Sequence, residues 1–329
     1  MQVTFWGVRG SIPSPLSPHT VSQKMLEAHK LFEQSGMKDY EEFLAHQPYH
    51  IRSTYGGNTS CVEIMCGKTR IVCDMGTGLR NLGNSLFPEM MAQRGIDITF
   101  LLSHLHWDHI QGLPFFGPLY MNKNAGICNS WHFYGGSNWA KGVEQCLQGQ
   151  MDAPTFPVSW REIKKITAHL KQNDVCDLMS FSVGDAYITA RKLNHPQETY
   201  GWRIQYEDAV VVYATDNEPY DPLHPDPRLV SLAADADLLI IDCQYNKETY
   251  EGKNGPPRHG WGHSYPDAVA RVAVEADVKQ MALFHHDPAS SDAAITEMRD
   301  ITQHIIHQLG GKTSVIASYE GLVLPIEAK

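Results

Sequence analysis

The run His104-Leu105-His106-Trp107-Asp108-His109 places three imidazoles and a carboxylate within six residues. Both groups are ligands for zinc, manganese and iron. In extended backbone, His104 and His106 lie on one side of the chain. Asp108 and His109 follow a bend and can face a second point. A single zinc takes about four ligands. The run alone offers four, and further candidates follow downstream, so two metal ions are expected rather than one. With 17 histidines in 329 residues, such a cluster is hard to obtain by chance.

The flanking residues indicate how the run is held. Ile98 to Leu102 reads as a buried strand, and Ile110 to Pro114 opens a new element. The chemistry therefore falls at the carboxyl end of a strand, where α/β folds place their sites. Short, often β-branched segments bounded by Gly, Asp or Asn predict strands at 2–6, 61–66, 69–74, 97–102, 186–192, 201–206, 209–214, 237–242, 279–284, 313–317 and 322–325. Residues 205–209 read as a hairpin turn. Ser264-Tyr265-Pro266-Asp267 has the form of a capping box before an apolar helix. Ser291 can cap another, with Ile295, Met298, Ile301 and Ile305 at helical spacing and Gly310-Gly311 at its end.

Composition excludes several classes. Hydrophobic residues make up 42% and charged residues 19%, as in ordinary globular proteins. No apolar run approaches the roughly 18 residues of a membrane span. Val3-Thr4-Phe5-Trp6 reads as a strand without a basic or hydrophobic leader, so a cytoplasmic protein is expected. The seven cysteines form no C-x-x-C pair, which indicates neither a disulfide framework nor a thiolate zinc site. The net charge of −10 disfavours long nucleic acid as a ligand, because phosphate neutralisation dominates that affinity. A local basic patch remains compatible with it.

His104-x-His106-x-Asp108-His109 resembles the signature of the metallo-β-lactamase superfamily. Val72 to Gly78, with Asp74, is similar to the earlier strand-Asp-Gly motif. Leu193-Asn194-His195-Pro196, Tyr213-Ala214-Thr215-Asp216 and Leu283-Phe284-His285 match the later motifs in order and spacing. The resemblance covers almost the whole chain. Phe5 to Pro13 and Tyr55-Gly56-Gly57-Asn58-Thr59-Ser60 narrow it to the phosphodiesterase branch, with its tRNA 3′-processing endonucleases and phosphoribosyl cyclic phosphate diesterases.

The resemblance implies a single α/β domain over 1–329, folded as a four-layer αββα sandwich. It implies that His104, His106 and His195 hold one divalent metal and that Asp108, His109 and His285 hold another, with Asp216 bridging. Zinc is the first expectation; manganese and iron suit the same donors. A shared water would be acidified between the two ions and act as the nucleophile. The position of Asp216, where lactamase branches commonly use Cys, favours phosphoesters or thioesters. Asp74 is expected to orient an imidazole. Gly260-Trp261-Gly262-His263-Ser264 is similar to a motif of the tRNA-processing branch, whose His lies beside the scissile phosphate. The catalytic residues so implied are His263 and Asp108. Asn58, Ser60 and His286 are expected to contact substrate. Adjacent strand residues face opposite ways, so His285 and His286 cannot both reach one metal.

Two segments are atypical. Residues 14–54 read as an inserted helical arm, either a surface decoration or a lid. Residues 121–171 are long for one connection and read as an excursion that could wall a pocket, with Trp131, Trp139 and Trp160 packed in it. The expected activity is hydrolysis of a small cyclic phosphodiester, a cyclic nucleotide or cyclic sugar phosphate, by attack of a metal-bridging hydroxide. The partner is that substrate, with no membrane, and a homodimer is compatible. The alternatives are a tRNA 3′ endonuclease, a thioester or lactone hydrolase, and last a non-catalytic regulatory protein.

Overall fold

In a computed structural model, residues 1–136, 142–253 and 255–327 are described. Among the described residues, fourteen strands form two sheets of seven. The first is built from β1 (Gln2–Gly7), β2 (Cys61–Cys66), β3 (Thr69–Cys73), β4 (Asp97–Leu101), β5 (Ser130–Gly136) and β6 (His169–Val175). The second holds β7 (Ser180–Val183), β8 (Ala186–Lys192), β9 (Tyr200–Tyr206), β10 (Ala209–Ala214), β11 (Leu238–Asp242), β12 (Gln280–Phe284) and β13 (Ser314–Ala317). The last strand, β14 (Val323–Pro325), returns to the edge of the first sheet beside β1. Within the sheets, β3, β4, β5 and β6 run parallel, as do β10, β11, β12 and β13.

The two sheets pack face to face because their strands alternate. In β10 and β11, Val211, Tyr213, Leu238 and Ile240 point into the core shared by both sheets, with Phe5, Ile64 and Trp202. Val212, Ala214, Leu239 and Ile241 point the other way, into a second core. Strands buried on both faces read as continuous apolar runs, which is why this region is so clear in sequence. Among the described residues, eleven α-helices frame the sheets. The arm supplies α1 (Pro18–Ser35), α2 (Tyr40–Ala45) and α3 (Tyr49–Arg52). Then come α4 (Gly78–Gln93), α5 (Trp107–Ile110), α6 (Val143–Gln150), α7 (Trp160–Ile166), α8 (Pro227–Ala233), α9 (Lys247–Glu251), α10 (Pro266–Glu275) and α11 (Asp292–Gln308). Leu79, Leu82, Leu86 and Met90 of α4 cover the first sheet. Leu229 of α8, Val269 and Val272 of α10 and Met298 of α11 cover the second. The result is the expected αββα sandwich.

Three strands were not legible. β5 lacks β-branched residues and ends in two glycines, β6 is mostly polar, and β7 has four residues. Residues 121–171 are therefore not simply a pocket wall. Their β5 is an interior strand between β4 and β6, and Trp131 and Trp160 are fully buried in the core under α4. Trp139 lies outside the described residues. The α10 helix also starts differently from expectation. Its N-cap is Tyr265, with Pro266 in the first turn and no side-chain cap. The Ser264 hydroxyl is instead engaged with the Asn217 carbonyl. Ser291 does cap α11, accepting from the Ala294 N–H.

The arm is anchored to α11 and the carboxyl-terminal strands. Lys24 pairs with Asp292 at 2.7 Å, His50 meets Thr296, and Tyr49 stacks on Tyr319 at 4.3 Å. Phe43 is buried against Phe32 and Tyr40 within it.

If β5 is core, Trp131→Ala should destabilise the protein by about 3–5 kcal/mol, the usual range for deleting a buried ring. Urea unfolding measures this. A loss below about 1 kcal/mol would return 121–171 to the status of a surface excursion.

Candidate metal centre

The site lies at the carboxyl ends of parallel strands from both sheets. Asp74 follows β3, the His104–His109 run follows β4, and Asp216 and His285 follow β10 and β12. Asp242 is the last residue of β11, and His195 follows β8. Three of these residues bend the chain into the left-handed region: Asp74 at φ 60°, Asp216 at 51° and His285 at 59°. Such backbone costs roughly 1–3 kcal/mol per residue and persists only when the surroundings enforce it. Here the apolar strand before each residue is fixed on both faces. Gly10 lets the backbone pass against His285, whose ring a Cβ there would strike.

Two groups of donor atoms converge. In the first, His104 Nε2 lies 2.8 Å from His106 Nδ1, which lies 3.4 Å from His195 Nε2. In the second, His285 Nε2 lies 3.1 Å from Asp108 Oδ2 and 3.3 Å from His109 Nε2. Asp216 divides its carboxylate between them. Its Oδ1 is 3.7 Å from His104 Nε2; its Oδ2 is 3.2 Å from His109 Nε2 and 3.3 Å from His285 Nε2. Within each group the potential ligand atoms fall within 4.8 Å of one another. Seven residues separated by up to 181 positions in sequence thus share one small volume.

Surrounding groups fix the ring orientations. Asp74 Oδ2 accepts from His109 Nδ1 at 2.7 Å, and also from the Tyr213 and Ser103 hydroxyls. That leaves His109 Nε2 for the centre. His195 Nδ1 donates to the Gly262 carbonyl at 3.1 Å and turns its Nε2 inward. Asp108 Oδ2 accepts the Ser11 N–H at 2.7 Å. His263 Nδ1 donates to Asp242 Oδ2 at 2.7 Å, and its ring lies 5.7 Å from His195 and 5.0 Å from His285. Asp242 Oδ1 accepts from the Gln244 and Ser264 N–H groups.

Charge shows what the site is built for. Asp74, Asp108, Asp216 and Asp242 are all buried, and the ion pairs they make are to imidazoles. Burial pushes His104 well below its ordinary value, and burial together with His195 brings His106 down to about 4. Burial also lowers His195. These three rings are neutral at pH 7, as metal ligands must be. Burial alone would raise Asp216, but His285, His109 and His104 hold it well below the carboxylate range. Four buried carboxylates among converging imidazoles, three of them neutral, fit divalent cations.

The expected substrate contacts are placed differently. Asn58 donates its side-chain amide to Glu320 Oε2 at 2.8 Å, and so serves the turn. Ser60 is fully buried. His286 faces away from the centre, bonds the Ser318 carbonyl, and is pushed by burial down to about 3. His285 alone of the pair enters the cluster. Two residues were missed. Asp242 carries the same signal as Asp74 and Asp216, a carboxylate ending an apolar strand. Glu218 carries none, being one of many acidic residues. Its buried carboxylate accepts from the Tyr250 hydroxyl and from the Gly260 and Gly262 N–H groups, each at 2.8 Å. Its backbone N–H bonds the Asn194 carbonyl. Glu218 therefore ties together the loops bearing His195, Asp216 and His263.

Residues 69–286 match the family described as Beta-lactamase superfamily domain. The chain belongs to that superfamily, in its metallo-β-lactamase form with His/Asp clusters suited to divalent metals. It is a hydrolase of that fold, related to ribonucleases Z and BN. A Ribonuclease Z of Lactiplantibacillus plantarum is 24% identical over 302 residues, covering 78% of this chain and 88% of that protein. The unliganded yeast PDE1 structure superposes with a TM-score of 0.64 at 13% identity, over 98% of both chains. The zinc-bound PqqB of Methylobacterium extorquens gives 0.59 at 15%, over 99% of this chain and all of the other. At these identities the two structures speak for the fold. Among the described residues no helix is long and apolar enough to cross a membrane.

Glu218→Ala should weaken metal binding by roughly 10- to 100-fold, as loss of ligand-orienting groups commonly does. Competition against a chromogenic chelator measures it. Unchanged affinity in a folded variant would show that the three loops hold their positions without this clamp.

Proposed function

We propose that this protein hydrolyses a small phosphodiester, a cyclic nucleotide or cyclic sugar phosphate, at a two-metal centre. His104, His106 and His195 hold one cation, Asp108, His109 and His285 the other, and Asp216 joins them. The observation that carries this reading is the divided carboxylate of Asp216, with one oxygen toward each group of imidazoles. Bound there, two divalent ions, zinc first among them, would supply Lewis acidity and an acidified water. The relatives named ribonuclease Z support phosphodiester chemistry.

His263 is the residue placed to handle the leaving oxygen. Asp242 takes its Nδ1–H, which leaves Nε2 as the atom free to donate. Burial opposes charge on this ring, but Asp242 and then Asp216 outweigh it and lift it to about 9. Neighbouring metal cations would work against that lift. A ring protonated near neutral pH can donate to a departing alkoxide, and kcat then falls as pH rises through the His263 pKa.

A tRNA 3′ endonuclease reading is favoured by the likeness to ribonuclease Z over most of the chain. The charge of −10 weighs against a polyanion of that length. Salt-sensitive binding of tRNA in a gel shift, with cleavage at its 3′ end, would establish it instead.

Two measurements test the main reading. Protein loaded with zinc or manganese should turn over bis(p-nitrophenyl) phosphate or members of a cyclic phosphate panel, and chelation should abolish that turnover. No turnover by fully metallated protein would sink the proposal. His263→Ala should lower kcat by on the order of 10²–10⁴ for alkyl leaving groups, and much less for p-nitrophenolate, which departs without a proton. The alkaline limb of its pH profile should vanish. Equal losses for both leaving groups would remove His263 from the proton transfer.

A further inference from the structure

Three segments beside the centre, two loops and the first residue of α5, each expose one large apolar side chain. Trp107 is 73% exposed, Ile12 60% and Trp261 52%. All three adjoin the chemistry along the backbone. Trp107 lies between His106 and Asp108. Ile12 follows Ser11, whose N–H binds Asp108. Trp261 precedes Gly262, whose carbonyl holds His195. The loop of Trp261 also carries Arg258, with its guanidinium carbon 4.4 Å above the indole and 6.0 Å from the Tyr245 ring. Arg258 Nε is buried without a hydrogen-bond partner. Tyr245 in turn lies 5.8 Å from the His263 ring.

A large flat ring exposed one residue from a group of the reactive site is available as a ligand contact. We propose that Trp107 and Trp261 are specificity residues that stack a nucleobase, so that the substrate is a nucleotide rather than a sugar phosphate without a base. This rests on the phosphodiesterase reading and adds the substrate class. Indoles offer flat π faces to every base and so give affinity without reading sequence. Arg258 adds a positive charge beside an indole, complementary to a phosphate. The acidic chain as a whole favours one nucleotide over a long strand.

Calorimetric titration of the metal-loaded protein with adenosine 5′-monophosphate and with ribose 5-phosphate tests this without turnover. Adenosine 5′-monophosphate should bind about tenfold tighter or more, within the range of base–aromatic stacking. Trp107→Ala and Trp261→Ala should each erode that preference several-fold, with metal content and ribose 5-phosphate affinity unchanged. Trp107→Phe and Trp261→Phe should restore much of it. Equal affinity for the two ligands, no binding of the nucleotide, or Ala variants that keep the preference would overturn the proposal. A protein that shows the preference yet hydrolyses no phosphodiester would sink the proposed activity and leave the stacking intact.

Discussion

Four carboxylates sit in the protein interior at the ends of apolar strands, and imidazoles are the groups that pair with them. An unpaired buried charge costs several kcal/mol, so this arrangement demands compensation from somewhere. Hydrogen bonds provide part of it. Asp74 accepts from Ser103, Tyr213 and His109, and Asp242 accepts from two backbone N–H groups and His263. Asp108 accepts the Ser11 N–H and Asp216 the Thr215 hydroxyl, and both otherwise face the rings of the two groups. Without a cation, protons on imidazoles are the available counter-charge. Burial lowers His109, yet Asp108, Asp216 and Asp74 lift it well above its ordinary value. A divalent ion replaces such protons with fixed charge, which couples metal binding to proton release.

The same constraint explains the rigidity of the frame. Asp74, Asp216 and His285 hold left-handed backbone that only firm neighbours can enforce. The strands that end in them are buried on both faces, by the inter-sheet core on one side and by helices on the other. Each fully buried Val, Leu or Ile adds roughly 1.5–3 kcal/mol relative to exposure. The apolar runs therefore do more than close a core. They offset the strain at the residues that follow them.

Much of this was legible because both kinds of residue leave strong marks. The β10 and β11 runs are nearly continuous in apolar residues, and Asp216 after β10 is conspicuous. The six-residue histidine run needs no tertiary information to suggest a metal. What escaped lacks a local signature. Strand β5 carries Trp, Phe and Tyr, which favour strands, but it has no β-branched residue and ends in two glycines, so its neighbours β4 and β6 complete it. Glu218 matters through three donors, two of them more than 40 residues away. Ser264 read as a helix cap because capping and site-building use the same short polar side chain; here the Asn217 carbonyl competes for it. Asn58 spends its amide on Glu320 within its own turn, and Ser60 is buried with its hydroxyl unpaired.

The loop from Gly260 to Ser264 joins two tasks that most sites keep apart. Gly262 orients His195 through its carbonyl, and His263 faces Asp242, while Trp261 between them reaches solvent. A contact that displaced Trp261 would move both imidazoles unless the backbone were held. Glu218 holds it by two N–H groups, one on either side of the indole-bearing residue. Gly262 tolerates the resulting conformation at φ 89°, and a Cβ there would collide with His195. The indole, with Arg258 over it, is thus half-exposed on a backbone that the interior has fixed. Recognition at Trp261 can vary with the ligand while the metal-facing geometry stays where the strands put it.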